Sequence, residues 1–315
     1  MFFASTLLAL IIERVFGYPA ILANSVGYPV EWFGRLISWL DARLNPKSQP
    51  GNRTAGVVAL WILLLLTGGV AAAIAFVLRQ WPYGWVAEAI IATPFLAQKS
   101  LYDHVKAVAE GLDASLDQGR AAVSRIVGRD PQALDQSGVA RAALESLAEN
   151  ASDGIVAPAF WFAIFGLPGI VLYKAINTAD SMIGHKSPRY LAFGWAAARL
   201  DDLVNLPCSR LTGLLFAVAA LPSGWRSCRN AFTSMGRDAH RHVSPNAGWP
   251  EAALAGALGI RLGGRRSYHG RVVDLATMGD GRGDLTQTDI RAGLRLYGRA
   301  LTLFAVYFVP LVLLS

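Results

Sequence analysis

Charge is what this 315-residue chain has least of: Asp, Glu, Lys and Arg together make up 16% of it, where an ordinary soluble domain carries roughly 25%. With 53% of its residues hydrophobic, that deficit excludes an ordinary soluble domain and points to a membrane protein. Cysteine is scarce as well. Cys208 and Cys228 stand alone with no Cys-x-x-Cys pair, so neither a zinc site nor a disulfide framework is expected, and both thiols read as reduced and structural. His104, His185, His240, His242 and His269 are scattered, and "HRH" at His240 to His242 is not a ligand spacing on a helix. No nucleotide fingerprint is intact. "GIRLGGRRS" lacks the Gly-Lys-Ser/Thr ending of a phosphate loop, and "MGDGRGD" is too short and too acidic for a dinucleotide loop. No basic stretch interleaved with aromatics is present, so nucleic acid is not an expected partner. No Lys or Arg precedes the first apolar run, Phe2 to Ile12, and Glu13 and Arg14 interrupt it. It reads as a short anchoring helix rather than a removable leader.

Against these deficits stands one long uncharged run, Gly56 to Leu78, "GVVALWILLLLTGGVAAAIAFVL". It is long enough to cross a hydrocarbon core of roughly 30 Å. Trp85 to Ala97 would return the chain across the membrane after a turn at "RQWPYG", and Ala300 to Ser315 forms a marginal C-terminal span preceded by Arg291, Arg295 and Arg299. Those arginines put the entry to that span on the cytoplasmic side. "VEWFGRLISWLDARLN", in the polar stretch that also holds Lys47, has the apolar spacing of a helix lying on the membrane surface. The expected fold class is therefore all-α: a polytopic integral membrane protein with several transmembrane or re-entrant helices and cytoplasmic amphipathic helices. We expect one membrane-embedded domain. Its parts are membrane helices with a surface helix (1–97), cytoplasmic helices (98–154), re-entrant or membrane helices with a polar segment (155–222), an arginine-rich cytoplasmic segment (223–299) and a C-terminal helix (300–315). Arginine density from Arg226 to Arg299, including Arg265, Arg266 and Arg271, suits anionic lipid or a phosphorylated ligand equally.

Chemistry concentrates in three places. "ESLAENASDGIVAPAFWF" sets Glu145, Glu149 and Asp153 four apart before an apolar run that "GLPG" then splits into two half-helices. Gly154 breaks the acidic stripe, so a helix ending near Asn150 and a new one starting at Asp153 are expected, with free N–H groups for an anion. "KAINTADSMIGHKSPRYLAFGWAAARLDDLVNLPCSRLT" carries Lys174, Asn177, Asp180, Lys186, Arg189, Arg199, Asp201, Asp202 and Arg210. A solvated loop capped at Asp180 or Ser181 is its plain reading. The interleaved Tyr190, Phe193 and Trp195 argue instead for a partly buried polar pocket, since buried charge is costly unless paired or bound to ligand. "SPNAGWPEAALAGALG" offers Asn246 and Glu251 ahead of a small-residue helix face.

In that order, and together with "RVFGYPAILANSVGYPVEWFGRLISWL", these blocks resemble the membrane-bound adenosylcobinamide-phosphate synthases of cobalamin biosynthesis over nearly the whole chain. The chain departs from the family where Gly17-Tyr18-Pro19 replaces Gly-Asp-Pro and Tyr28-Pro29-Val30 replaces His-Pro-Val, so no role of that Asp or His is carried over. The resemblance implies an ATP-dependent ligase that joins aminopropanol, or its phosphate, to the free carboxylate of adenosylcobyric acid. It implies ATP and Mg²⁺, the latter held by Glu145, Glu149, Asp153 and Asp180. Asp153, Asp180, Asp201, Asp202 and Lys186 would carry catalysis, with one of the Asp201 and Asp202 carboxylates as base. Lys174, Arg189, Arg199 and Arg210 would contact phosphates, and Asn150, Asn177, Asn246 and Glu251 the corrinoid. The expected setting is the inner membrane, multi-pass, with the site facing the cytoplasm. A partner protein delivering the amine and self-association both stay open. The rival readings are a non-catalytic membrane regulator and a transporter.

Overall fold

The computed structural model describes residues 2–19, 21, 25, 27–46, 52–128, 131–268 and 271–314, without side chains for 265–268 and 271–275. The readings at Lys47, His269, Arg265, Arg266 and Arg271 lie outside what is described. Chain segments divide into two compact units, one of residues 1–97, 157–205 and 308–315, the other of 98–156 and 206–307.

The first unit is built from α1 (Phe3–Phe16), α2 (Pro29–Leu44), α3 (Arg53–Leu78), α4 (Gly84–Ala92), α8 (Ala157–Phe165), α9 (Leu167–Ile183) and the first part of α10 (Trp195–Ala219). Asn52 starts α3 by accepting the Ala55 N–H at 3.0 Å, which satisfies one of the amide groups that a helix start leaves bare. Helices α8 and α9 are the two half-helices expected around "GLPG". Gly166 joins them at φ 69°, a left-handed conformation open to glycine at no steric cost. Gly68 lies against Leu172 and Gly166 against Arg79, while Gly56 lies under the Phe193 carbonyl. Helices α3 and α9 therefore run antiparallel at close approach. The segment expected to return across the membrane does not form a span. Pro94, which has no N–H to donate, falls in a 3-10 turn at Thr93–Phe95 that ends the nine-residue α4. At about 1.5 Å per residue that helix covers less than half of a bilayer core.

The second unit comprises α5 (Gln98–Ala114), α6 (Leu116–Val123), α7 (Gln136–Ala151), α11 (Trp225–Asp238), α12 (Gly248–Leu258), strands β1 (Leu262–Tyr268) and β2 (Arg271–Met278), and most of α13 (Gln287–Leu313). Ser115 divides α5 from α6 by capping the second of them at Gln118 N. The chain is mostly helical, as expected, and the antiparallel β1–β2 pair, in register from Leu262↔Met278 to Tyr268↔Arg271 with an irregularity at Gly263/Arg265, adds one hairpin to it that an all-α reading leaves out. Its glycines and arginines hide a strand from a propensity reading. A second correction concerns the acidic block. Helix α7 passes into a π turn at Ser152–Val156 and then directly into α8. Backbone N–H groups in such a turn bond five residues back, so Asp153 does not open a helix with free amides.

Among the described residues three helices are long and apolar enough to cross a membrane: α3, α13, and α10 with its extension to Ser223.

Helix α11 is fastened by a clamp at its C-terminus. Arg237 donates to both oxygens of buried Asp238 at 2.8 and 2.7 Å and to Asp280 at 2.6 Å, and Gly279 N–H adds a bond to Asp238 at 2.9 Å. Burial pushes Asp238 up, but the Arg237 and Gly279 hydrogen bonds and the Arg237 and Arg241 charges outweigh it and hold the carboxyl below its usual range. Asp280 is held below its range by Arg237. A carboxylate depressed in the folded state contributes stability that is fully present above its unfolded pKa, about 3.9 for Asp, and is lost as pH falls through the folded value. Amide exchange over α11 is therefore expected to stay slow down to about pH 5 and to accelerate below about pH 4, and Arg237→Gln should flatten that acid response. An α11 whose exchange in Arg237→Gln keeps the wild-type acid dependence would show the clamp to be unimportant.

Candidate functional site

Helix α9 carries its polar residues on its C-terminal half. Lys174, Asn177, Thr178 and Ser181 follow at three- and four-residue steps, so they share a face. Thr178 donates to the Lys174 carbonyl at 2.6 Å and Ser181 to the Asn177 carbonyl at 2.9 Å, leaving the amide of Asn177 and the ammonium of Lys174 as the groups that reach outward. Helix α10 meets them with Asp201 and Asn205, one turn apart. Asn177 donates to Asp201 Oδ1 at 3.3 Å, Asn205 donates to Asp201 Oδ2 at 3.0 Å, and Tyr173 donates to Asn205 Oδ1 at 2.9 Å. Lys174 Nζ lies 3.5 Å from Asn177 Oδ1. Tyr173 and Asn205 are 2% and 1% exposed, so this chain of bonds is closed to water at its Tyr173 end and fixes both carboxylate oxygens. Asp180 is close enough for its charge to act on Asp201.

At the rim of that cluster, Arg199 approaches Asp202 at 3.5 Å, and Lys186, exposed in the segment between α9 and α10, acts on the same carboxylate. Arg189 is occupied elsewhere. It donates to Asp41 at 2.7 Å and to the Asn45 carbonyl at 3.3 Å, and Tyr190 donates to Asp41 at 3.2 Å. That triad ties the segment to α2.

The second unit holds the remaining expected residues. Glu145, 5% exposed, accepts the Gly263 N–H at 2.8 Å, which joins α7 to β1. Asn150 donates back to Ser146, and Glu149 is exposed beside it. Asp153 sits half-buried in the π turn, within electrostatic reach of Cys208. Buried Asn246 accepts from Ser209 at 3.1 Å and from Arg210 at 3.2 Å, while the Arg210 guanidinium lies 4.6 Å over the Trp249 ring. Glu251, 3% exposed, faces His242 Nε2 at 3.7 Å. Among the described residues no group of three or more His, Cys, Asp or Glu side chains is arranged to hold a metal ion.

Sequence reasoning passed over Tyr173, Asn205, Ser209, Asp41 and His242. Two of them carried a readable signal: Asp201, Asn205 and Ser209 recur every four residues and so line one face of α10.

A family model described as "CobD/Cbib protein" matches residues 6–297. The chain is 50% identical to a Sinorhizobium sp protein named cobalamin biosynthesis protein CobD over 98% of its own length and 97% of the relative's. It is likewise 50% identical to the protein of that name from Rhodobacter capsulatus, over 95% and 94% of the two chains, and 48% identical to that of Brucella suis biovar 1, over 94% and 92%. No solved structure matches it. With a model covering nearly the whole sequence and relatives at half identity end to end, the chain belongs to the CobD/CbiB family of cobalamin biosynthesis proteins.

Proposed function

We propose that this chain catalyses an ATP-dependent amide ligation, attaching aminopropanol or its phosphate to the free carboxylate of adenosylcobyric acid. The observation that carries this reading is the Asp201 cluster. A buried carboxylate held at both oxygens by amides, with Lys174 and Lys186 close at hand, is equipped to take the proton that an attacking amine must lose. A carboxylate is not an acylating agent, so the reaction needs it converted to a better leaving group. ATP supplies that by phosphorylating it, and the amine then displaces phosphate. Lys174, Lys186 and Arg199 are the cations available to the phosphate charge, and Asn177 can donate to an amide oxygen on the corrinoid periphery. A magnesium ion accompanying ATP would offset phosphate charge and would ask for only one or two carboxylates of this chain. Asp180 is the carboxylate of this unit we assign to that task, which does not need a metal cage prebuilt from protein side chains.

Two features support an inner-membrane, multi-pass setting with this cluster toward the cytoplasm. Arg53, whose guanidinium lies 5.1 Å over Trp195, stands at the end of α3 that lies by Phe193, in the same segment as Lys186 and Arg189. Beyond the other end of α3 stand exposed Trp81, Tyr83 and Trp85, and the Arg79 at that end is neutralised by buried Glu88 at 2.7 Å. Basic residues collect on the cytoplasmic side and aromatics at the interfaces.

The test is a reconstituted reaction. Purified protein with ATP, Mg²⁺, adenosylcobyric acid and either amine is expected to release phosphate and form the amide in equal amounts, with Asp180→Asn folded but inactive. Phosphate release that never depends on the amine and acid together would favour a regulator or transporter.

A further inference from the structure

The second unit holds a charge that the reaction assigned above does not use. Arg210 falls inside a helix long and apolar enough to cross a membrane, and no charged residue follows it as far as Ser223. An ionised side chain in such a stretch is costly unless something pairs with it. Among the described residues no carboxylate does. Glu251, the acid of α12, faces His242 Nε2 at 3.7 Å instead. Arg210 Nη1 meets only neutral oxygens: the Leu206 carbonyl at 2.9 Å, Ser209 Oγ at 3.1 Å and Asn246 Oδ1 at 3.2 Å. These contacts occupy that nitrogen's protons and leave the charge uncancelled.

The same contacts fix the guanidinium in place. Ser209 and Asn246 are buried, at 0% and 6% exposure, and are bonded to each other at 3.1 Å. The Trp249 ring lies 4.6 Å from the guanidinium carbon, a contact that a planar cation makes well. Left over is a set of donors. Arg210 Nε and Nη2 and the Trp249 indole N–H donate to no group among the described residues. A guanidinium and an indole have no acceptor to offer. Only a ligand with acceptor oxygens suits them, and only an anionic one offsets the charge. The open edge, Nε with Nη2, is the fork that takes two oxygens of a single oxyanion. Arg210 and Trp249 are half-buried rather than sealed, so a ligand can reach that edge.

We infer that Arg210 and Trp249 form a binding site for a phosphate group, with Arg210 Nε and Nη2 each donating to one phosphate oxygen. A carboxylate would spend both its oxygens on the fork, whereas a phosphate keeps a third for a further donor such as the indole N–H. The site does not depend on the reaction assigned to the Asp201 cluster.

The test is fluorine NMR of the full chain labelled with 5-fluorotryptophan, in a maltoside detergent that carries no phosphate. The Trp249 line is the one that Trp249→Phe removes. The probes are inorganic phosphate, aminopropanol phosphate, ADP, a short-chain phosphatidylglycerol and acetate. In the wild type the phosphate probes are expected to move that line saturably and to raise the unfolding temperature. The carrier of the phosphate is the probe that binds more tightly than inorganic phosphate. Arg210→Lys keeps the charge and loses the fork, so it should bind about tenfold or more weakly, equivalent to ~1.4 kcal/mol. Arg210→Gln should not bind, and Arg210→Lys carries the comparison alone if that variant does not fold. A Trp249 line that no phosphate probe moves, equal affinity in the wild type and Arg210→Lys, or acetate bound as tightly as phosphate would overturn the site.

Discussion

Asp201→Asn is expected to lower amide formation by about 10²- to 10⁴-fold, the contribution typical of a positioned general base, while costing the fold only about 1 kcal/mol. The small stability cost follows from the geometry around it. Asn205 cannot turn over, because its Oδ1 accepts the Tyr173 hydroxyl and its Nδ2 already donates to Asp201. The new amide at position 201 would therefore point its oxygen at Asn205 and its NH₂ at Asn177. Asn177 is free to rotate its own amide in response, since the contact it gives up is the long 3.5 Å one to Lys174. All hydrogen bonds but that one are recovered, and only the negative charge is lost. Tyr173→Phe makes the contrast. It unlocks Asn205 without touching the charge, so the expected loss of rate is smaller and should be largely in kcat, because neither residue reaches the substrate. Unfolding temperature and amide yield measured side by side decide the matter. Wild-type rates in Asp201→Asn would remove it from the reaction, and parallel loss of stability and activity would reduce it to a structural role.

The parts of this molecule that were legible in its sequence are those where one signal dominates. Helix α3 is announced by an unbroken apolar run, and the α8–α9 pair by Gly and Pro at one spot. Where two signals overlap, the reading failed for definable reasons. Hydropathy cuts α13 in two at Arg299 because it averages over all faces of a helix. Its buried residues Ile290, Leu294, Tyr297, Leu301, Phe304 and Phe308 step by four and three straight through that point, a stripe that periodicity alone would have carried across the boundary. Helix α10 looks like a polar segment in the sequence because Arg199, Asp201, Asp202 and Arg210 dilute its hydropathy. The π turn at Ser152–Val156 has no sequence marker that distinguishes it from a helix break, since Gly154 and Pro158 suit either.

The candidate site was legible in its residue types and not in its pairings. Asp201 and Asn177 stood out as polar groups in apolar surroundings, and the structure joins them. Arg189 stood out in the same way, yet its partner Asp41 lies 148 positions away on α2. A sequence shows that a charge needs a partner, and only tertiary structure shows whether that partner is a ligand or the protein itself.

Gly56→Ala is expected to destabilise the protein by about 4 kcal/mol or more, a size reserved for a few mechanisms, of which forced backbone displacement is one. Helix propensity argues the opposite, since Ala in place of Gly inside a helix gains about 1 kcal/mol. Packing decides the sign. A methyl at position 56 would run into the backbone carbonyl of Phe193, and the neighbouring Gly194 is under the same restriction from the Ile183 carbonyl. The start of α3, the end of α9 and the entry to α10 thus meet backbone to backbone through two glycines, and neither obstacle is a side chain that can swing away. Gly69, also in α3, has nothing within 4 Å of where its Cβ would be, so Gly69→Ala isolates the propensity effect and should leave the unfolding temperature unchanged or raise it. Thermal unfolding of both variants in the same detergent reads the difference directly. If Gly56→Ala proves as stable as Gly69→Ala, the close approach of α3 to the Phe193 carbonyl is wrong. If it unfolds early, the entry to α10 shifts with it, and Asp201, less than two turns further along that helix, loses its place against Asn177.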